Sequence, residues 1–443
     1  MVSVPLNLHP GRTMLDTISY PAATTSEIDR EHASAKFASW CLVLLFLLAC
    51  VGPRGANTVG GVSGEGDSMR QIGYILAAAT TFYVCRSARW LYLFPAMAML
   101  ALGWCWLSLV WAIDPANGFR RLVLTTMLMA AIFAAVEVAG TQRALRVFGK
   151  LSVLILFINL FWVFGTSGGI HLPGEIIGDP GLAGNWKGAM GHKNYAGPYT
   201  AVTMLVLLLG PRFLPSLARW PVIGLAAVFL WGTQSMTSIG LFFVCLLAAM
   251  FYGLLGERGR RLLLPFTVFL VAVSLLLFGP EINSAFTAIS HFITTPEAVT
   301  GRGEIWTALL QFISQNWLLG SGYGSLWGIG PEGPIQRLVS SSSWVENVYS
   351  GHNGYLDMLG MVGAPGLILV LVGFFVAPLA RLTSSRAISV QTGALLFAIL
   401  MFSLGHNFTE STLLTRDLVV WLMHAMAMAM IYKSSREEMG SPA

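Results

Sequence analysis

The sequence predicts an all-α polytopic membrane protein with about 12 transmembrane helices and one large extracytoplasmic loop that contains short helices. Composition is the first reason: 55% of the 443 residues are hydrophobic and only 11% are charged, whereas a soluble domain carries roughly a quarter charged residues. The second reason is that apolar runs long enough to cross a bilayer recur along the chain. The third is that these runs are apolar at odd and even positions alike, which transmembrane β-strands are not.

The apolar runs divide the chain into two membrane-embedded parts. About nine spans fall within residues 37–279 and about three within 359–432. Polar residues 1–36 and 433–443 form the two tails, and residues 280–358 form the large loop. The individual spans are predicted near 37–53, 71–86, 90–112, 121–140, 147–165, 195–211, 218–233, 237–255, 262–279, 360–380, 389–405 and 418–432.

The distribution of Lys and Arg predicts which segments face the cytoplasm. Cytoplasmic loops of membrane proteins carry an excess of these residues. With the N-terminus placed inside, most of the 26 Lys and Arg residues fall in cytoplasmic segments. Both termini are therefore predicted to be cytoplasmic, and the two long loops, about 166–194 and 280–358, lie outside.

The larger of these loops is predicted to hold a helix of its own. Residues 303–315 carry apolar side chains at helical spacing, and several glycines follow soon after and end the helix. The spaced apolar residues are Ile305, Leu309, Phe312 and Ile313, and the glycines are Gly320, Gly322 and Gly324.

Composition also argues against several classes of function. The net charge of +5 is explained by cytoplasmic loops, and no Lys/Arg-rich run indicates a nucleic-acid partner. None of the eight histidines pairs with another histidine or with a cysteine at a metal-ligand spacing, and no phosphate-binding loop is present. We therefore expect neither a metal nor a cofactor. The five cysteines lie within or beside apolar runs, which favours packing over a disulfide framework.

Arg302 is the first candidate for chemistry. It lies at the predicted start of the helix in the large loop. Unpaired N–H groups at a helix N-terminus and a planar guanidinium together suit a diphosphate. The alternative is a solvated arginine, or one paired with Glu304.

His352 lies at the end of the same loop, in the motif Gly351-His352-Asn353-Gly354-Tyr355. A neutral imidazole at this position could accept a proton from a hydroxyl nucleophile. Asn353 and Tyr355 stand beside it in the same motif. The alternative is an interfacial histidine that caps a helix or bonds a neighbour.

Three further sites carry charge or polarity on the outer side. Lys193 and Asn194 end the smaller long loop, where Lys193 could bind phosphate or extend from a span to the interface. Arg120 and Arg121 could attract anionic headgroups or serve as interfacial anchors. Glu410, between the last two spans, could orient a base or hold an arginine, or could be a simple surface residue.

These motifs together resemble the O-antigen ligase and polysaccharide polymerase superfamily of Wzy/WaaL type. The resemblance covers roughly residues 40–430 and rests on motif order, topology and the long outer loop. The block Gly191–Asn194 resembles the subgroup that acts in exopolysaccharide production. The other matching blocks are Ser108–Pro115, Gly301–Trp306, Leu319–Gly324, His352–Leu356 and Thr409–Ser411.

The resemblance implies a GT-C-like, metal-independent glycosyltransferase of the bacterial inner membrane, with the large loop in the periplasm. The donor would be a glycan on undecaprenyl diphosphate, and the acceptor a sugar hydroxyl on another glycan or on lipid A–core. Membrane lipids and other polysaccharide assembly proteins are the further candidate partners. Arg302, with Lys193, Arg120 and Arg121 as helpers, would stabilise the leaving diphosphate. His352 would act as the base, and Asn353 and Tyr355 would orient the sugar or the base.

Two other functions stay open on the sequence alone. The chain could be a ligase to lipid A–core rather than a polymerase, since the motifs are shared. It could instead be a transporter of polysaccharide or lipid. Transporters place ionisable residues or broken helices at mid-membrane, whereas the ionisable residues here lie mostly at span ends.

Overall fold

The computed structural model of the chain describes residues 25–50, 68–86, 94–175, 180–263, 302–330, 333–338, 348–416 and 418–440. Within these ranges the regular structure is helical, apart from an isolated antiparallel bridge between Ile170 and Trp186. The predicted all-α class is therefore confirmed. The principal helices are α1 (Thr25–Cys50), α2 (Ser68–Val84), α3 (Ala96–Leu107), α4 (Pro115–Ala139), α5 (Thr141–Gly165), α6 (Lys193–Leu209), α7 (Ser216–Gly232), α8 (Met236–Leu254), α9 (Arg302–Asn316), α10 (Gly354–Leu371), α11 (Ala377–Ser384), α12 (Val390–His406) and α13 (Val419–Gly440).

Each predicted span overlaps one of these helices except 262–279, most of which lies outside the described residues. Of the described helices, 5 are long and apolar enough to cross a membrane by length and composition. These features fit a polytopic membrane protein, while the count of about 12 spans and the GT-C-like arrangement stay predictions. The five helical segments are His32–Cys50, Pro115–Ala139, Thr141–Gly165, Met236–Leu254 and Gly354–Ser384, and shorter apolar helices cover Ala96–Trp111, Ser216–Gly232 and Val390–His406.

The helices place two sets of segments at opposite ends of the bundle. At one end, the carboxylate of Glu137 pairs with Lys433 and Arg436 of α13. Arg143, at the start of α5, donates a hydrogen bond to the His32 carbonyl at this same end. All of these segments are predicted to be cytoplasmic. The other end, which we call the loop end, carries the described residues 108–121, 166–175, 180–194, 317–330, 348–357 and 406–416.

The core between the two ends is apolar and close-packed. Helix α13 is buried from Val419 to Ile431, and it packs against α4 and α12. All five cysteines are buried and free, as the apolar packing role predicts. The cysteines are Cys41, Cys50, Cys85, Cys105 and Cys245.

Helix α9 confirms the helix predicted in the large loop. Its apolar face, which carries Ile305, Leu309, Phe312 and Ile313, is buried in a cluster separate from the main core. Leu326 and Trp327, from the glycine-rich segment that follows α9 (residues 317–330), belong to the same cluster, and α10 packs against it. The helix is therefore seated on α10 by its apolar stripe.

The chain just after α9 packs against a kink in α10. Gly363 has φ 69 and ψ −179, so the helix is interrupted there, and Pro365 removes one helical N–H just beyond. The interruption leaves backbone groups of α10 open to outside partners. The N–H of Ala364 donates to the Trp317 carbonyl at 2.8 Å.

Two carbonyl groups of the kink also gain partners from elsewhere in the chain. The Gly360 carbonyl accepts a hydrogen bond from the Ser321 N–H at 2.8 Å. The Val362 carbonyl accepts one from the Trp104 indole at 2.9 Å. The kink thus joins α3, α9 and α10 by hydrogen bonds that a regular helix could not offer.

We predict that Gly363→Ala destabilises the protein. A Cβ at this position would lie 2.0 Å from the Leu318 carbonyl oxygen, and the positive φ adds strain for any L-residue. The expected loss is at least about 1–3 kcal/mol, measured as a lower thermal unfolding midpoint in detergent. Gly240→Ala is the control, because nothing lies within 4 Å of its Cβ position in α8. Equal midpoints for the two variants would contradict the role of the kink.

Candidate active site at the loop end

The turn before α10 presents the His352 side chain. Asn353 is the N-cap of the helix, and its side-chain oxygen accepts from the N–H groups of Tyr355 and Leu356, both at 3.1 Å. Capping is therefore performed by Asn353 and not by His352. His352 has φ 49, a conformation that non-glycine residues adopt at a cost. Such strain persists only where the surroundings enforce it.

The surroundings enforce it through the peptide group of Gly351. Its N–H donates to both carboxylate oxygens of Asp357, at 3.1 and 3.0 Å. Its carbonyl accepts from the Trp306 indole at 2.8 Å. Trp327 donates to Asp357 at 2.8 Å, and Asp357 is 4% exposed. The residue before His352 is thereby fixed on both sides.

Glu410 holds the His352 ring. Its Oε2 lies 3.0 Å from His352 Nδ1, and its Oε1 accepts from the Asn194 amide at 2.7 Å. The side chain of Glu410 is 15% exposed and that of His352 is 31% exposed. Glu410 is thus a half-buried partner of His352 rather than a solvent-exposed side chain. A base-orienting role for Glu410 stays a prediction.

This contact decides which nitrogen of His352 carries its proton. An ionised carboxylate can only accept, so Nδ1 donates to Glu410 and the neutral ring keeps a lone pair on Nε2. Within the described residues, Nε2 of His352 makes no hydrogen bond. The ring can therefore take a proton at Nε2 while Glu410 stabilises the cation that results.

His192 has the opposite arrangement. It is the N-cap of α6, and its Nδ1 accepts from the Asn194 N–H at 3.1 Å. Burial, followed by the positive charges that nearby His171, His352 and Lys193 can carry, lowers the pKa of His192 to about 4, despite the opposing effect of Glu410. The ring is therefore neutral near pH 7, with its proton on Nε2.

His171 uses both of its nitrogens within the protein. Nε2 accepts from the Lys193 N–H at 3.3 Å, so Nδ1 donates to Glu175 at 3.2 Å. The other Glu175 oxygen pairs with Lys187, which is 5% exposed. This cluster ties the smaller long loop to the N-terminus of α6.

Arg121 holds the glycine-rich segment at the loop end. Its guanidinium donates to the carbonyls of Gly324 at 2.8 Å and Trp327 at 2.9 Å. Arg120 donates to the Asn117 side chain at 2.6 Å. The structure therefore gives Arg121 a scaffolding contact, and substrate binding by either arginine stays a prediction.

The other predicted residues also gather at this end. Lys193 is the first residue of α6 and is half-buried. The Tyr355 hydroxyl donates to the Leu404 carbonyl at 2.5 Å, a contact that ties α10 to α12. Arg302 begins α9, but its side chain lies outside the described residues.

Helix geometry nevertheless relates Arg302 to His352. Arg302 is four residues before Trp306, so the two lie on one face about 6 Å apart along the axis. The Trp306 indole binds the carbonyl of Gly351, the residue before His352. The N-terminus of α9 therefore lies near the turn that carries His352.

Several residues of the site escaped the sequence reasoning. His192 lies in the Gly191–Asn194 motif, where the sequence indicates a role only for its neighbours Lys193 and Asn194. Its position directly before a helix was a weak signal, because histidine is not among the preferred N-cap residues. Trp306, Trp327 and Asp357 offered no such signal, because their pairing depends on contacts between distant segments.

The described helices fit a membrane protein, and a histidine–glutamate pair lies at one end of their bundle. Residues 221–371 match the family model described as O-antigen ligase. The match confirms the resemblance to the O-antigen ligase and polysaccharide polymerase superfamily and supports a function of that type in broad terms. No curated protein matches the chain. The exopolysaccharide subgroup stays a prediction.

We predict that acid destabilises the loop before α6, because protonation of Glu175 weakens its contacts there. Burial alone would raise the pKa of Glu175, but hydrogen bonds from Lys187 and the Leu172 N–H hold it below its usual range. A lowered pKa stabilises the fold above the unfolded value of about 4.3, and this contribution disappears as pH falls through the folded pKa.

Glu175→Gln tests this coupling, because it keeps the shape of the side chain and removes the charge. Its thermal midpoint at pH 7 should be about 2–4 °C lower than that of the parent protein. The difference should shrink as the pH falls below 4.3. A difference that stays constant with pH would refute the role of the Glu175 charge.

Proposed function

We propose that this protein transfers a glycan from undecaprenyl diphosphate to a sugar hydroxyl at the periplasmic face of the bacterial inner membrane. The observation that carries the proposal is the His352–Glu410 pair, whose Nε2 lone pair is left for a substrate at the loop end. The family match across α9 and His352 supports the same reaction class. The loop end would face the periplasm, and both termini the cytoplasm.

The reaction needs a base because a sugar hydroxyl is a weak nucleophile. In the proposed step, the acceptor oxygen forms a bond to the anomeric carbon of the donor. The bond from that carbon to the diphosphate oxygen breaks, and the hydroxyl proton passes to Nε2 of His352. Glu410 stabilises the imidazolium, and undecaprenyl diphosphate leaves with the electron pair. A single displacement inverts the anomeric centre.

Cationic groups would stabilise the charge that develops on the diphosphate. Arg302 is the first choice, since it begins a helix whose N–H groups add to its own charge. Lys193, at the start of α6, offers a second cation close to His352. Asn353 and Asn194 would act by fixing the turn and the base.

Polymerisation of exopolysaccharide or O-antigen is the favoured reaction, because Gly191–Asn194 resembles the subgroup that acts in exopolysaccharide production. Ligation to lipid A–core is the alternative from the same class, and transport of a lipid or polysaccharide is the other.

Glycan analysis of a deletion strain separates polymerisation from ligation. Loss of long chains with single repeats retained indicates a polymerase, whereas free long chains indicate a ligase. Turnover of a synthetic lipid-linked glycan by purified protein excludes a transport-only role.

We predict that His352→Ala lowers kcat about 10²–10⁴-fold with a synthetic undecaprenyl-diphosphate-linked glycan, the range expected for a lost general base. Glu410→Gln should lower kcat less than His352→Ala does, because it removes the charge that stabilises the imidazolium but keeps the ring. Both variants should remain folded, as checked by size-exclusion chromatography. Full activity of His352→Ala in membranes would rule out the base.

We predict that Arg302→Ala weakens donor binding and lowers kcat together, because the diphosphate charge grows in the transition state. The matched control is Arg146→Ala, an exposed arginine of α5 at the opposite end of the bundle. The measurement is the initial rate as a function of donor concentration in nanodiscs. Unchanged rates and donor affinity in Arg302→Ala would remove Arg302 from the diphosphate site.

A further inference from the structure

We propose that the Nε2–H group of His192 binds a hydroxyl oxygen of the acceptor sugar beside His352. This inference rests on the proposed glycan transfer and adds a sugar-binding residue to that site. It is carried by two observations: a hydrogen-bonded chain that joins the two histidines, and the way in which the protein uses the nitrogens of each ring.

The chain runs through four residues from three separate segments. The Asn194 N–H donates to His192 Nδ1 at 3.1 Å, and the Asn194 side chain donates to Glu410 at 2.7 Å. Glu410 in turn accepts from His352 Nδ1 at 3.0 Å. Asn194 therefore holds His192 and the Glu410–His352 pair in one fixed arrangement.

The two rings at the ends of this chain have opposite chemistry. His352 donates through Nδ1 and keeps a lone pair on Nε2, so it can accept a proton. His192 accepts through Nδ1 and therefore carries its hydrogen on Nε2, where no partner is present among the described residues. One ring is an acceptor and the other a donor, and Asn194 links His192 to the carboxylate that holds His352.

His171 shows what a purely structural histidine does in the same neighbourhood. Its ring lies 5.0 Å from that of His192, and it is 1% exposed. Both of its nitrogens are engaged, one with Glu175 and one with the Lys193 N–H. His192, in contrast, is half-buried and engages only Nδ1.

The chemistry of His192 favours a neutral oxygen as its ligand. The low pKa of His192, about 4, keeps the ring uncharged at neutral pH, so it offers a dipole rather than a charge. A diphosphate would bind better to the arginines and Lys193. A sugar hydroxyl matches a neutral donor, and the Tyr195 ring, 39% exposed and 5.9 Å from His192, adds an apolar face.

Two substitutions separate the two nitrogens of His192. His192→Asn places an oxygen near the Nδ1 position and keeps a good helix cap, but it removes the Nε2 donor. His192→Gln places an amide N–H near the Nε2 position but is a poor cap. The two variants therefore distinguish the helix-capping role of His192 from its proposed role in ligand binding.

The experiment measures binding by the full-length protein in nanodiscs. One probe is the free repeat-unit oligosaccharide, released from the host polysaccharide by partial hydrolysis, and the other is sugar-free undecaprenyl diphosphate. His192→Asn should bind the oligosaccharide roughly three- to tenfold more weakly, the effect of one lost neutral hydrogen bond, and should bind undecaprenyl diphosphate as the parent does. His192→Gln should keep oligosaccharide affinity within about twofold and should lose thermal stability.

Three results would overturn the inference. The first is that His192→Asn binds the oligosaccharide as tightly as the parent protein does. The second is that both variants lose the same amount of oligosaccharide affinity. The third is that His192→Asn weakens the binding of undecaprenyl diphosphate but not that of the oligosaccharide. A separate assay, turnover of a lipid-linked glycan by the parent protein, distinguishes failure of this inference from failure of the proposed function. If the parent turns over the glycan while His192→Asn binds normally, only the role of His192 fails. If the parent shows no turnover, the proposed function itself fails.

Discussion

The buried carboxylate of Asp357 is the contact on which the geometry of the loop end depends. It accepts two hydrogen bonds from one N–H and a third from Trp327. A buried carboxylate without such partners would cost several kcal/mol, so the three elements that supply them must remain together. Those elements are the turn before α10, the glycine-rich segment and α10 itself. His352 follows directly from this turn, and its positive φ is enforced by the same contacts.

The kink of α10 performs the complementary task on the other side of α9. Close approach of Leu318 to Gly363 leaves no space for a Cβ, and the backbone groups released by the interruption hold Ser321 and Trp317. Helix α9 is therefore fixed at its C-terminal end by the kink and in its first turns by Trp306. A helix fixed at two points can present its N-terminus, and with it Arg302, at a constant place relative to His352.

Periodicity and charge could predict the helices, because both depend on local sequence. The helices, including the one at 303–315, followed from apolar spacing, whereas the sidedness that Lys and Arg indicate stays a prediction. The residues that could carry chemistry were also visible, since His352, Arg302, Lys193 and Glu410 stand in short polar motifs. Their partnership was not visible, because 58 residues separate His352 from Glu410 and 216 separate Asn194 from Glu410. Such pairings are set by helix packing, which a single sequence does not encode locally.

The same residue pair, histidine with glutamate, occurs twice at the loop end with different consequences. In His171–Glu175 the second ring nitrogen is engaged by a backbone N–H, so the ring can only hold the loop in place. In His352–Glu410 the second nitrogen has no partner among the described residues, so the ring can still accept a proton. The chemical role of each histidine therefore depends on which ring nitrogen has no hydrogen bond to the protein. By the same reasoning, His192 retains a donor and no acceptor. A site assembled from one ring of each kind can hold a hydroxyl group by its oxygen and, at a neighbouring position, remove a proton.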